Sequence, residues 1–273
     1  MQKSIITQGQ ANELYKTLKF MHDTFTKAKI PYFMVGGTLL GAVRNQGIIP
    51  WDDDGDVCIL KEDVPKLRKL IPYFDKKGYD LEEGTEADED DEEEKECLSR
   101  KDSCTWFFGC RKKNCLGVDI FVMYSKGNKV TYYDPYWEYT KTGGERCYFE
   151  KDLLFPLLPY RFGNFFLMGP HNALEHLNRC YGPSWVEKGQ VLYDHRKGKW
   201  VNSKPRNLTV NEFLTFKAPS STCDSKVPAL ICHNSQSRYF SKEKGSKKKS
   251  VAKRSKKKSI RKSKKKSTRK PKK

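Results

Sequence analysis

The residues able to do chemistry concentrate in one short window. Residues 35–60 read VGGTLLGAVRNQGIIPWDDDGDVCIL and place four carboxylates, Asp52, Asp53, Asp54 and Asp56, within five positions. Like charges this close are costly in a folded protein, and their natural neutraliser is a divalent cation with oxygen ligands. Asp54 and Asp56 are two apart, so in strand geometry they share a face while Gly55 faces away. Two same-face carboxylates at the head of a buried strand make half a metal site. A third carboxylate is needed from a neighbouring strand, and Asp119, the lone acid in the apolar segment GVDIF at 117–121, is the candidate, because an acid there is out of place unless paired or metal-bound. Upstream, Gly36-Gly37-Thr38 follow an apolar run, and the missing side chains let a phosphate approach backbone N–H groups at a helix N-terminus. Arg44 adds a fork of donors suited to phosphate. Each feature alone has a plain structural explanation: a Gly-Gly turn, a solvated acidic loop, a satisfied core acid. Their combination and order point to metal-assisted phosphate chemistry.

The elements that must position these groups can be read from periodicity. Leu14, Leu18, Met21, Phe25 and Ala28 recur at helical spacing, which predicts an amphipathic helix over 10–29 that ends before Pro31. Residues 32–35 form a buried strand running into a tight turn at Gly36-Gly37, after which Thr38 caps a short helix over 39–44. A second strand follows at 57–60 and a helix at 62–74. The stretch 80–96 carries twelve acids and one base and is expected to be a solvated loop or insertion. Strands are expected at 104–110, 118–124 and 129–133, the last two as a hairpin through Gly127-Asn128. Residues 153–168 are apolar and interrupted by proline, a helix opens at Pro170 and ends near Cys180, and 184–240 read as irregular structure on the core. Trp106, Phe107, Trp137 and Tyr139 are placed to stack on a base or sugar, or to pack the core.

Charge divides the chain. Of 273 residues, 53 are Lys or Arg and 34 are Asp or Glu, a formal charge of +19. Residues 241–273 hold 19 of the bases and a single acid, Glu243, which leaves 1–240 with a net charge of only +1. Ser-Lys-Lys-Lys-Ser begins at Ser246, Ser255 and Ser263, and a Lys/Ser segment without apolar spacing is expected to be a disordered, extended tail able to contact nucleic acid or an anionic surface. The organisation expected is therefore one folded domain over 1–240 and a basic tail over 241–273. No apolar run approaches the roughly 20 residues needed to span a bilayer, and the N-terminus lacks the apolar stretch of a signal peptide; a soluble, intracellular (cytoplasmic) protein is expected. Cys97, Cys104, Cys110 and Cys115 cluster, but without the tight pair usual in zinc sites, so ordinary thiols are expected over a structural zinc.

Residues 36–44 (GGTLLGAVR) followed by 47–56 (GIIPWDDDGD) resemble the signature of the LicD family, which includes bacterial phosphocholine transferases and fukutin-related ribitol-phosphate transferases. GVDIF at 117–121 and LNRCYGPSW at 177–185 extend the resemblance to roughly residues 31–185. It implies an α+β nucleotidyltransferase-like core, a small mixed sheet flanked by helices. It also implies transfer of a phospho-alcohol from a CDP-activated donor to a sugar hydroxyl of a glycan, with Mg2+ or Mn2+. Carried over, Gly36, Gly37 and Thr38 hold donor phosphate, with Arg44 as a candidate contact. Asp54 and Asp56 are the metal pair, and Asp119 is the third carboxylate, as ligand or as base for the acceptor hydroxyl. Asp52 and Asp53 orient the loop or ligate. The chain departs from the pattern at Gly55, where an apolar residue is common, in its acidic stretch and in its basic tail, and no membrane anchor is expected ahead of the domain; a virus that builds its own glycans would suit such a short member. Two other readings stay open: nucleotidyl transfer by the same carboxylates, and a binding protein acting through its tail.

Overall fold

Helix α1, Gln8–Ala28, opens on a capping box in which Thr7 and Gln10 satisfy each other's backbone N–H groups, and closes on Lys29 in the left-handed conformation. Its buried face carries Leu14, Leu18, Met21 and Phe25 of the expected stripe, joined by Ala11 and Tyr15, while Ala28 is only partly buried. A computed structural model describes residues 6–84, 107–132, 148–190, 193–194, 199–200 and 203–224. All of them fall in the unit Met1–Val227. The basic tail, the boundary expected at 240, Cys97, Cys104, Trp106, Trp137 and Tyr139 lie outside the described residues.

After α1 come β1 (Tyr32–Met34), α2 (Gly36–Arg44), β2 (Gly55–Leu60), a 3-10 turn, and the short helices α3 (Val64–Arg68) and α4 (Ile71–Lys76). Then follow β3 (Asp80–Gly84), β4 (Phe107–Arg111), β5 (Val118–Lys126), β6 (Lys129–Tyr132), β7 (Phe149–Glu150), α5 (Lys151–Leu154), β8 (Leu158–Phe162), β9 (Phe165–Gly169) and α6 (Ala173–Tyr181). The described residues form a seven-stranded mixed sheet in the order β1-β2-β5-β4-β3, with β6 joined to the far half of β5 and β7 to β6. Only β2 and β5 run parallel; the other pairs are antiparallel. The α+β class with a mixed sheet is thus as expected.

Local expectations give way at several points. The helix expected over 62–74 is broken: α3 ends at Arg68 and α4 starts afresh at Ile71, with Pro72 in its first turn. The acidic stretch is not loop from its start: Asp80–Gly84 pairs with β4 as an edge strand, because Leu81 has a buried slot opposite Cys110 while its acidic neighbours face outward. The proline-interrupted segment at 153–168 contains a hairpin, β8 against β9. Helix α6 begins past Pro170, where the Asn172 side chain accepts from the Glu175 N–H and caps it.

The sheet is covered on both faces, which is why β2 and β5 are almost wholly apolar. Val57, Ile59, Val118, Ile120 and Val122 pack with Leu14 and Leu18 of α1 in the larger core. Cys58, Phe121 and Met123 face the other way, into a smaller core with Phe33, Val130, Tyr132, Phe149 and Leu154. No helix among the described residues is long and apolar enough to cross a membrane.

His176 of α6 lies at the rim of that second core. It stacks on Phe149 with ring centroids 3.7 Å apart and 8° between planes, and its Nδ1 is 3.3 Å from the Tyr148 carbonyl. Burial pushes its pKa down to about 3; the Tyr148 carbonyl opposes this and Arg179 reinforces it. The folded state therefore prefers a neutral ring, and its contribution to stability is complete above the unfolded value of about 6.5. It is lost progressively as pH falls from there toward 3. Urea midpoints should drop across that window, and His176→Gln should flatten the dependence. An unchanged slope in the variant would remove His176 as its origin.

Candidate functional site

The ladder between β2 and β5 sets the site. Asp56 is the direct partner of Asp119 in that parallel register, and on its other side Asp119 faces Gly109 of β4. Gly55 opens β2 by donating to the Gly117 carbonyl at 3.2 Å, and a Cβ there would press on Leu18 and Val118. Gly55 therefore lies under α1 and Asp56 points to the opposite face, the alternation expected from a two-residue spacing. One carboxylate oxygen each from Asp54, Asp56 and Asp119 lie within 4.8 Å of one another, and a second such group joins Asp52, Asp53 and Asp54. All five side chains are part-buried. Ionised carboxylates at this spacing repel, and a hard divalent cation offsets that repulsion, so the all-oxygen donor set fits such a cation. Among the described residues, no cysteine belongs to a group placed to hold a metal. Cys110 is buried, which pushes its thiol up to about 12.

The turn before α2 holds Asp56 from two sides. The Val35 N–H donates to the Asp56 carbonyl at 3.2 Å, and the Asp56 N–H donates to Thr38 Oγ1 at 2.7 Å. Helix α2 begins at Gly36, not at Leu39, and its N-cap Val35 makes no side-chain cap bond. Thr38 is thus not a cap: it sits inside the first turn and its hydroxyl is turned to β2. The glycines have a structural reason of their own. Gly36 has φ +52°, and a Cβ on it would lie 2.7 Å from Asp56 Oδ2; a Cβ on Gly37 would overlap the Asp52 carboxylate. Their absence admits two carboxylates to the N-terminal end of α2, where negative charge is favourable.

Arg44 is turned inward. It is 7% exposed, with Nε donating to Asn45 Oδ1 at 2.9 Å and Nη1 to the carbonyls of Trp185 and Lys188 at 3.1 and 3.3 Å. Burial lowers its pKa to about 10, with Tyr181 and Asp52 opposing, so it stays charged at neutral pH. Its guanidinium lies 5.5 Å from the centre of the Trp51 ring, and Arg206 approaches the same ring at 6.0 Å. Arg206 in turn pairs with the buried Glu212, whose carbonyl accepts from Asn45. Nearby, Thr215 donates to the Ile48 carbonyl at 2.7 Å, and the Tyr15 hydroxyl donates to Phe216 O and accepts from Ile48 N–H. Residues 206–216 therefore hold residues 45–51, the segment that leads into the acidic loop. The sequence reading missed this strap. The Thr209/Glu212 capping-box pattern was its one readable sign, and that marks a turn without naming what the turn packs on.

Gly36→Ala tests the close approach of Asp56. It should lower Mn2+ affinity at least about ten-fold by calorimetric titration, because the new methyl displaces the Asp56 carboxylate from its neighbours. Gly78→Ala, at φ +76° with open space around it, should cost stability alone. Equal Mn2+ affinity in the two variants would show that the approach is not required.

Residues 29–172 match the family described as LicD/FKTN/FKRP, nucleotidyltransferase domain. Among similar proteins, uncharacterized protein RP689 of Rickettsia prowazekii is 34% identical over 71% of this chain and 62% of its own length. Ribitol 5-phosphate transferase FKRP of Homo sapiens is 28% identical over 65% of this chain and 32% of its own. Lipopolysaccharide cholinephosphotransferase LicD of Haemophilus influenzae is 46% identical over 24% of each. The chain spans less than two thirds of the length of each of these relatives. With the family match covering more than half of its 273 residues, the chain belongs to the LicD/FKTN/FKRP nucleotidyltransferase-domain family.

Proposed function

We propose that this protein transfers a phospho-alcohol, such as phosphocholine or ribitol phosphate, from a CDP-activated donor to a sugar hydroxyl of a glycan. The observation that carries the reading is the convergence of Asp54, Asp56 and Asp119 within 4.8 Å beside the glycine turn of α2. Membership of the family, with relatives named as a ribitol 5-phosphate transferase and a cholinephosphotransferase, supports the substrate class.

In this reading Asp54, Asp56 and Asp119 hold magnesium or manganese, which when bound supplies positive charge against the donor pyrophosphate. The sugar oxygen attacks the phosphorus bearing the alcohol, the bond from that phosphorus to the CMP oxygen breaks, and CMP leaves with the electron pair. The hydroxyl proton passes to a base, a role open to Asp119 where it does not act as a ligand. The backbone of Gly36 and Gly37 offers N–H groups to donor phosphate beside the two carboxylates. Thr38 keeps the Asp56 main chain in register, and Arg44 braces Trp51 and the acidic loop from inside, without touching the donor. Asp52 and Asp53 orient that loop. The Lys/Ser segment 241–273 is an accessory that contacts nucleic acid or an anionic surface in a salt-dependent way.

Incubation with CDP-choline, CDP-ribitol or CDP-glycerol, a glycan acceptor and magnesium or manganese should release CMP with one donor, and that donor should raise the melting temperature. Asp54→Asn, Asp56→Asn and Asp119→Asn should each abolish release with the fold retained. Undiminished turnover in any of the three sinks the assignment of that residue, and release of pyrophosphate from a nucleoside triphosphate in place of CMP would reassign the reaction to nucleotidyl transfer. Deleting 241–273 should leave turnover unchanged while removing binding to nucleic acid or anionic vesicles; loss of turnover would give the tail a catalytic part.

A further inference from the structure

Gly109 stands directly across from Asp119 on the sheet face that carries the carboxylates. Phe107 and Arg111, two residues to either side of it on β4, share that face. A Cβ on Gly109 would lie 3.6 Å from Arg111 Nη2 and 3.6 Å from Phe107 Cζ, so the guanidinium and the ring edge both lean over the glycine. The result is a notch beside Asp119, floored by bare backbone and walled by a cation on one side and an aromatic ring on the other. Phe121, two residues along from Asp119, backs the Phe107 ring at 6.1 Å.

Arg111 contrasts with Arg44. Its side chain is 54% exposed, and it pairs with Glu82 at 3.2 Å, itself 60% exposed. Glu82 is the β3 residue that faces Gly109 from the other side. A pair this exposed contributes little to stability and exchanges readily for a stronger acceptor. A phosphate brought to a site lined with carboxylates meets repulsion from them, and a guanidinium fork at the rim supplies charge-assisted hydrogen bonds that offset it.

We propose that Arg111 binds the phosphate oxygens of the substrate that engages the carboxylate site, with the Phe107 ring flanking the same molecule across the Gly109 notch. The inference rests on the transferase reading, but it concerns the phosphate oxygens alone and so does not depend on which alcohol is carried. Glu82 occupies Arg111 until substrate arrives and competes with it afterwards.

Titration calorimetry of the full chain with CDP and with inorganic pyrophosphate, magnesium present, tests the assignment. Arg111→Gln should weaken both ligands at least about ten-fold, the loss expected for a charge-assisted contact. Arg111→Lys should recover part of the loss, and Glu82→Gln, which removes the competitor, should bind both ligands at least as tightly as the wild type. Wild-type affinity in Arg111→Gln, or weaker binding in Glu82→Gln, overturns the role of Arg111 and leaves the transferase reading standing. A wild-type chain that binds neither ligand overturns both. Should Arg111→Gln melt early, Glu82→Gln decides the matter alone.

Discussion

Two carboxylates held side by side on neighbouring parallel strands repel unless something offsets their charge, and a six-residue ladder holds Asp56 and Asp119 in that position. Strand register is not adjustable here. Both faces of β2 and β5 are buried, so a slip of one residue would drive Asp56 and Asp119 into the apolar core beneath α1 and expel Val57 and Ile120. Packing of the two cores thus enforces an electrostatically unfavourable pairing, and it does so at the head of both strands, where the second core ends. The carboxylates take up the face that Cys58, Phe121 and Phe33 occupy two residues further along.

The neighbouring elements make sense as responses to that pairing. Helix α2 presents its N-terminal end to Asp52 and Asp56, and its first two residues are glycines because the carboxylates lie where side chains would be. Thr38 and Val35 tie the Asp56 backbone to the same turn. The loop between α2 and β2 has little regular structure of its own, and its stiffness comes from outside. Arg44 braces Trp51 from within, and the strap through Arg206, Glu212 and Thr215 closes over it from residues far along the chain. A charged guanidinium buried against backbone carbonyls is stable only with its partners satisfied. Arg44 therefore also records that residues 185–188 are docked in place.

Much of the site could be read from local spacing. Spacing drew attention to Asp54 and Asp56, and Asp119 announced itself as an acid in an apolar strand; oxygens of all three come within 4.8 Å of one another, though Asp54 lies just before β2 and not on it. The first helix and the β5–β6 hairpin followed from periodicity and turn residues, and the fold class from the family resemblance of residues 36–56. What could not be read were the roles that depend on a distant partner. Arg44 looks like a phosphate ligand by residue type, yet it is folded against the carbonyls of Trp185 and Lys188. Thr38 sits in sequence like a cap and acts as a brace for a strand 18 residues on. Asp80 and its neighbours look like solvated loop, and become a strand only because β4 offers an edge and a slot for Leu81. Gly109 carries no motif at all, and only its place opposite Asp119 makes it part of a notch.

The division has a physical origin. Charge, hydrophobic period and turn chemistry act over a few residues, so composition and spacing alone determined a near-neutral body with a basic end, an amphipathic first helix, and a dense run of carboxylates at the head of a buried strand. Pairing across strands and burial of a side chain act between segments that sequence distance does not relate. Tertiary structure alone therefore decided that Asp119 stands beside Asp56, that of two arginines near the site Arg44 turns inward and Arg111 outward, and that residues 206–216 hold the segment leading into the acidic loop from far along the chain.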